Sequence, residues 1–176
     1  MTIAIAESAR ATTSPSIALW RLLDELSSVV IELPAEVYRA TLESGVSGTI
    51  GEHIRHCLDH ISTLLSAGPS GTLSYDHRQR GVAIETEPSA ALQQILHLKA
   101  ALERWPVCSL DEPIRVSSMI APDGAAIVGW STFARELAFV VSHTIHHQAT
   151  IGVLLTIHGH VVPERFGHSP STPRRN

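Results

Sequence analysis

Four segments of the 176-residue chain repeat apolar residues at intervals of three and four positions. This spacing places the apolar side chains on one face of an α-helix. The segments begin near residues 15, 49, 87 and 131, and the last continues to about Ile157. Four such helices in one small domain need a common apolar centre. The pattern therefore predicts an all-α fold, an antiparallel four-helix bundle.

The stretch before the last helix has a different character. Two β-prone runs, Pro113–Ser117 and Ala125–Val128, flank the turn residues Pro122-Asp123-Gly124. This pattern predicts a short β-hairpin or irregular insert. Both ends of the chain are polar and without a clear period. We therefore expect a flexible N-terminal arm at 1–14, a single domain at 15–162 and a disordered tail at 163–176.

The charge balance excludes several classes of partner. Thirteen basic and seventeen acidic residues give a net charge of −4, whereas a general nucleic-acid binder needs a concentrated basic face. No apolar run approaches the ~18 residues of a membrane span, and the start does not resemble a signal peptide. Cys57 and Cys108 are too few for a disulfide scaffold. These features predict a cytoplasmic protein that binds neither nucleic acid nor membranes.

Eleven histidines are unusual for a chain of this length. His143 and His147 lie one helical turn apart, in the same sector as Val140 and Ile151. Two imidazoles on consecutive turns can bind one divalent cation. A hydrogen-bonded pair at the edge of the core has the same spacing, so the pair alone leaves both interpretations open.

The second helix offers a further imidazole ligand. His53, His56 and His60 recur at i, i+3 and i+7 and occupy one arc of that helix. A third imidazole opposite the His143/His147 pair would complete a three-histidine site with an open coordination position. Periodicity does not choose among the three residues, although it slightly favours His53 and His60, which lie closer to the apolar centre.

Both histidine helices resemble a known family. The sequences SGTIGEHIRHCLDH and ELAFVVSHTIHHQATIG are similar to the DinB/YfiT-like superfamily of bacterial metal-binding four-helix bundles, and the resemblance extends through SYDHRQRG and RFGHSPST. It implies a zinc or nickel site with His56, His143 and His147 as ligands. It also implies a small-molecule metalloenzyme, with thiol-dependent S-transfer from a low-molecular-weight thiol as its first expected activity, and a homodimer. A metal-dependent hydrolase, or a non-catalytic binding or stress-associated bundle with a structural metal or none, is the alternative.

Other polar residues are candidates for orienting a ligand or contacting a substrate. Asp59 could accept a hydrogen bond from a ligating ring, and Glu136 could act as a base. Both also suit ordinary roles, on a solvated helix face and in an ion pair. Arg78 and Arg80, in the loop between the second and third helices, could bind an anionic substrate together or could form ion pairs that stabilise the loop. The complete set of these candidates is His53, His60, Asp59, Glu136, Arg78, Arg80 and Tyr75.

Overall fold

The computed structural model describes residues 15–42, 45, 47–67, 72–76, 79–104 and 110–173. The expected N-terminal arm at 1–14, Arg78 and Cys108 lie outside these ranges. The helices are α1 (Pro15–Glu32), α2 (Ala35–Tyr38), α3 (Ile50–Ser66), α4 (Pro88–Glu103) and α5 (Phe133–Ile157), with a 3₁₀ turn at Ala83–Glu85. The strands are β1 (Thr72–Ser74), β2 (Pro113–Met119) and β3 (Ala126–Thr132).

The four long helices share one apolar core. Helix α3 packs against α4 and α5, and α1 packs against the same two helices. Helix α3 begins with a capping box, in which the Thr49 hydroxyl accepts from the Glu52 N–H at 3.1 Å and the Glu52 carboxylate accepts from the Thr49 N–H at 2.7 Å. This cap fixes the start of the helix that carries three of the candidate ligands.

A three-stranded mixed sheet corrects the predicted fold class. Strand β1 pairs parallel with β2, and β2 pairs antiparallel with β3. The all-α, four-helix-bundle prediction is therefore wrong, and the fold combines five helices with a sheet in the described residues. Strand β1 has only three residues, too few to show a period of two, and it exists through backbone pairing with the distant β2.

The sheet lies largely outside the apolar core. Leu73 and Ile114 are buried, whereas Ile127, Val128 and Trp130 on β3 are exposed. Phe166, inside the tail predicted to be disordered, is only 3% exposed and packs into the helical core. No helix in the described part of the chain is long and apolar enough to cross a membrane.

Gly51 in α3 gives the first testable prediction. A Cβ at this position would lie 2.0 Å from the backbone oxygen of Glu85 and 2.6 Å from Tyr38 Cε1. Alanine is the better helix former by ~1 kcal/mol, but the overlap should outweigh that gain. We expect Gly51→Ala to lower the free energy of unfolding by ~2 kcal/mol or more, measured by urea denaturation.

Gly152 in α5 is the matched control for this prediction. Its added Cβ would meet Val162 Cγ1 at 3.4 Å, which is an ordinary contact. We therefore expect Gly152→Ala to leave stability unchanged or to raise it by up to ~1 kcal/mol. Equal effects of the two substitutions would contradict the close packing of α3 against the 3₁₀ turn.

Candidate metal centre

Helices α3 and α5 bring five imidazoles together where they pack against each other. The ring centres of His56 and His143 lie 5.0 Å apart, and those of His60 and His143 lie 4.2 Å apart. The His147 ring lies 4.5 Å from His56 and 4.6 Å from His143. We refer to this group as the histidine cluster; its members are His53, His56, His60, His143 and His147.

Three members of the cluster are spaced as ligands of one ion. Nitrogens of His56, His60 and His143 all lie within 4.8 Å of one another. The Nε2 atoms of His56 and His143 are 2.9 Å apart. Two nitrogens bound to one ion at ~2.05 Å lie ~2.9 Å apart at a right angle and ~3.3 Å apart at the tetrahedral angle. The His56–His143 spacing therefore suits a shared ion with little movement.

The hydrogen bond of His60 fixes its protonation pattern. His60 Nδ1 lies 3.0 Å from the backbone oxygen of His56. A carbonyl only accepts, so Nδ1 carries the proton and Nε2 keeps the lone pair in the neutral ring. The His60 ring also stacks on Tyr75 at 4.9 Å and is 4% exposed. Metal-ligating histidines are commonly held in this way, by a backbone carbonyl on the other nitrogen.

His53 and His147 form the outer part of the cluster. Their Nδ1 atoms lie 3.0 Å apart, and His53 Nε2 lies 3.1 Å from the backbone oxygen of Ser47. Burial, together with the neighbouring His143 and His53, lowers the pKa of His147 to about 3. Burial also lowers the pKa of His53. Both imidazoles are therefore neutral near pH 7, which is the form that binds metals.

Two aromatic rings, those of Phe139 and Tyr75, lie beside His143 and His60, and the carboxylate of Glu136 lies near Tyr75. Phe139 lies 5.5 Å from His143 and 5.2 Å from Tyr75, measured between ring centres. Glu136, which is buried, accepts a hydrogen bond from the Ser131 hydroxyl at 2.7 Å. Burial raises the pKa of Tyr75, and the charge of Glu136 raises it further. Tyr75 therefore remains a neutral phenol beside His60.

Other predicted site residues lie elsewhere or serve the fold. The Asp59 carboxylate accepts a hydrogen bond from the Arg55 guanidinium at 2.9 Å. Arg80 is exposed, and the buried Glu85 pairs with Arg55. Sequence reasoning missed this buried Arg55–Glu85 pair. The available signal was an arginine directly after Ile54 on the apolar side of α3.

Comparison with known proteins gives one partial match that bears on the family. No protein-family model matches the chain, and no solved structure matches it. The chain is similar to a Rhizopus delemar protein named FK506-binding protein 5, with 37% identity over 109 residues. The matched segment is 59% of this chain but only 28% of that protein.

This match corrects the family assignment. It points to a different family from the DinB/YfiT-like superfamily, so the resemblance inferred from the histidine helices is wrong. The expectation of a DinB-like transferase loses its support together with that resemblance. The name FK506-binding protein 5 describes a much longer protein and does not by itself assign FK506 binding to this chain. The case for a metal centre therefore depends on the geometry of the histidine cluster.

The lowered pKa of His147 predicts that stability depends on pH. Its pKa is about 3 in the folded chain and near 6.5 when unfolded, so the unfolded chain binds more protons between these values. The contribution of His147 is complete above about pH 6.5 and is lost as the pH falls toward 3. We expect urea unfolding of metal-free protein to show a larger loss of stability between pH 7 and ~4.5 in wild type than in His147→Gln. Parallel pH profiles would contradict this prediction.

Proposed function

We propose that the protein binds one divalent transition-metal ion through His56, His60 and His143. The observation that carries this proposal is the approach of their nitrogens to within 4.8 Å of one another. Neutral imidazoles suit borderline divalent ions such as Zn²⁺ and Ni²⁺. The three residues come from two helices that pack directly, so the folded chain brings them together without a loop rearrangement.

The surroundings favour a metal-dependent hydrolase of a small molecule. These imidazoles would leave a bound ion an exchangeable position, because such an ion can expand beyond four ligands, and the ion would supply Lewis-acid chemistry there. The Phe139 and Tyr75 rings shield one side of the histidines from water, and the Tyr75 phenol can donate a hydrogen bond. The buried carboxylate of Glu136 lies near Tyr75 and accepts a hydrogen bond from the Ser131 hydroxyl. In this position it can act as a proton acceptor.

Metal content of untagged protein tests the proposal most directly. The chain should be loaded with Zn²⁺ or Ni²⁺, passed over a chelating resin and measured by mass spectrometry of the metal. We expect about one ion per chain, with an affinity that survives the resin. Wild-type protein that retains no ion after loading would overturn the proposal, because the three imidazole nitrogens needed for binding already lie close together in the fold.

A further inference from the structure

His53 bridges the backbone and the second histidine of α5. Its Nε2 lies 3.1 Å from the Ser47 carbonyl oxygen, and its Nδ1 lies 3.0 Å from His147 Nδ1. The carbonyl oxygen can only accept, so Nε2 of His53 must carry the proton. A neutral imidazole has one N–H, and Nδ1 of His53 is therefore an acceptor.

This assignment determines the protonation of His147. Because His53 Nδ1 is an acceptor, the short contact at 3.0 Å requires His147 Nδ1 to donate. The lone pair of His147 is then on Nε2. This tautomer is the opposite of the one that prevails in free histidine, so its population reports on the hydrogen bond.

The backbone before α3 allows His53 to reach Ser47. Gly48 has φ +89°, and a Cβ there would lie 3.0 Å from Glu52 Oε2 and 3.5 Å from His53 Nε2. Glycine therefore supplies both the backbone angle and the space beside the His53 ring. The Ser47 carbonyl, His53 and His147 thus form a chain of two hydrogen bonds, which we call the hydrogen-bonded relay.

We propose that His53 positions His147 as a fourth imidazole of the metal centre by fixing it in the Nδ1–H form. This inference rests on the proposed function, because it needs an ion at His56, His60 and His143. The His147 ring already lies 4.5 Å from His56 and 4.6 Å from His143. With Nδ1 committed to His53, only Nε2 can bind the ion. Hydrogen-bond partners on the other ring nitrogen orient ligating histidines and strengthen their binding.

Two substitutions of His53 separate the hydrogen bond from the bulk of the ring. His53→Leu removes the acceptor. His53→Asn keeps one, because its side-chain oxygen can occupy the position of Nδ1. Nitrogen NMR of metal-free protein labelled with ¹⁵N-histidine reports the tautomer directly, and the His147 signals are assigned by their loss in His147→Gln. We expect the Nδ1–H form in wild type and His53→Asn, and the Nε2–H form in His53→Leu. The Nε2–H form in wild type would overturn the inference.

Metal affinity provides the second measurement, by competition of Zn²⁺ with a chelator. We expect His53→Leu to weaken binding by ~10- to 100-fold, whereas His53→Asn recovers most of the loss. The control is His97→Leu, which removes an exposed histidine of α4 outside the cluster and should leave affinity unchanged.

The two proposals fail in different ways. Equal Zn²⁺ affinity of wild type and His53→Leu would overturn the role of His53 and leave the three-histidine centre standing. Wild-type protein that binds no ion but shows the Nδ1–H form of His147 would overturn the metal centre, and with it the role of His147 as a ligand. The hydrogen-bonded relay would then be confirmed as a purely structural feature.

Discussion

Alanine at His56 or His143 is expected to abolish stoichiometric metal binding. These two residues contribute the closest nitrogen pair of the cluster, with Nε2 atoms 2.9 Å apart. Each belongs both to the ligand set predicted from the sequence and to the set assembled by the structure. Loss of an outer hydrogen-bond partner costs a metal site ~10- to 100-fold in affinity, so loss of either of these two central ligands should cost at least ~100-fold.

The measurement is the number of ions retained per chain after a chelating resin, together with chelator competition for the affinity. His97→Ala serves as the matched control, because it removes an imidazole that is exposed on α4. Circular dichroism should show unchanged helix content in all three variants. Retention of one ion by His56→Ala or His143→Ala would contradict the proposed ligand set.

The sequence spacing and the structure select different residues as the third ligand. The His-x3-His spacing selects His147, whereas the nitrogen distances select His60. We expect His60→Ala to lose the ion as His56→Ala does. His147→Ala keeps the three closely spaced imidazoles, so it should bind the ion more weakly but still with one ion per chain. The reverse order would show that the sequence pattern identified the third ligand correctly and that His60 serves the packing around Tyr75.

The long helices were predictable because their determinants are local. Helices α1 and α3 begin at or next to the expected residues, Pro15 and Thr49, and α5 ends at the expected Ile157. Periodicity, caps and glycine stops act within a few residues of the chain. Strand β1 has no such determinant. Its three residues pair with β2, about forty positions later, and nothing between residues 67 and 80 signals that pairing.

The candidate site was predictable as a region but not as a set of ligands. A helical wheel places His53, His56 and His60 in one arc, and the structure brings all three into the histidine cluster. Their order, from the outer His53 to the inner His60, depends on how α3 is rotated against α5. That rotation is set by tertiary contacts. One of them is the close approach of Gly51 to the Glu85 backbone, which leaves no room for a Cβ atom. No pattern within one helix contains this information.

Glu85→Ala is expected to cost ~3–5 kcal/mol of stability, because it leaves the buried Arg55 guanidinium without its main partner. Arg55 Nε donates to Glu85 Oε1 at 2.9 Å, and both residues are less than 9% exposed. The Gly81 N–H donates to the other oxygen of Glu85 at 2.7 Å and would lose its acceptor as well. The free energy of unfolding from urea denaturation measures the effect.

Asp59→Ala is the matched control, since Asp59 accepts from the same guanidinium at 2.9 Å. Its side chain is 36% exposed, so its removal should cost only ~0–1 kcal/mol. Equal losses in the two variants would contradict the assignment of Glu85 as the partner that compensates the buried charge.

The double variant Arg55→Met/Glu85→Leu distinguishes the cost of an unpaired Arg55 charge from the role of the Arg55–Glu85 pair in orienting α3. Replacing both members of a buried pair by apolar residues is often neutral, so most of the stability lost in Glu85→Ala should return. Arg55 directly precedes His56, and its pairing with Glu85 links α3 to the 3₁₀ turn. If apolar packing holds α3 in the same rotation, the double variant will bind its ion as wild type does. Recovered stability with lost binding would show that the ion pair, and not packing alone, sets the rotation that presents the histidines.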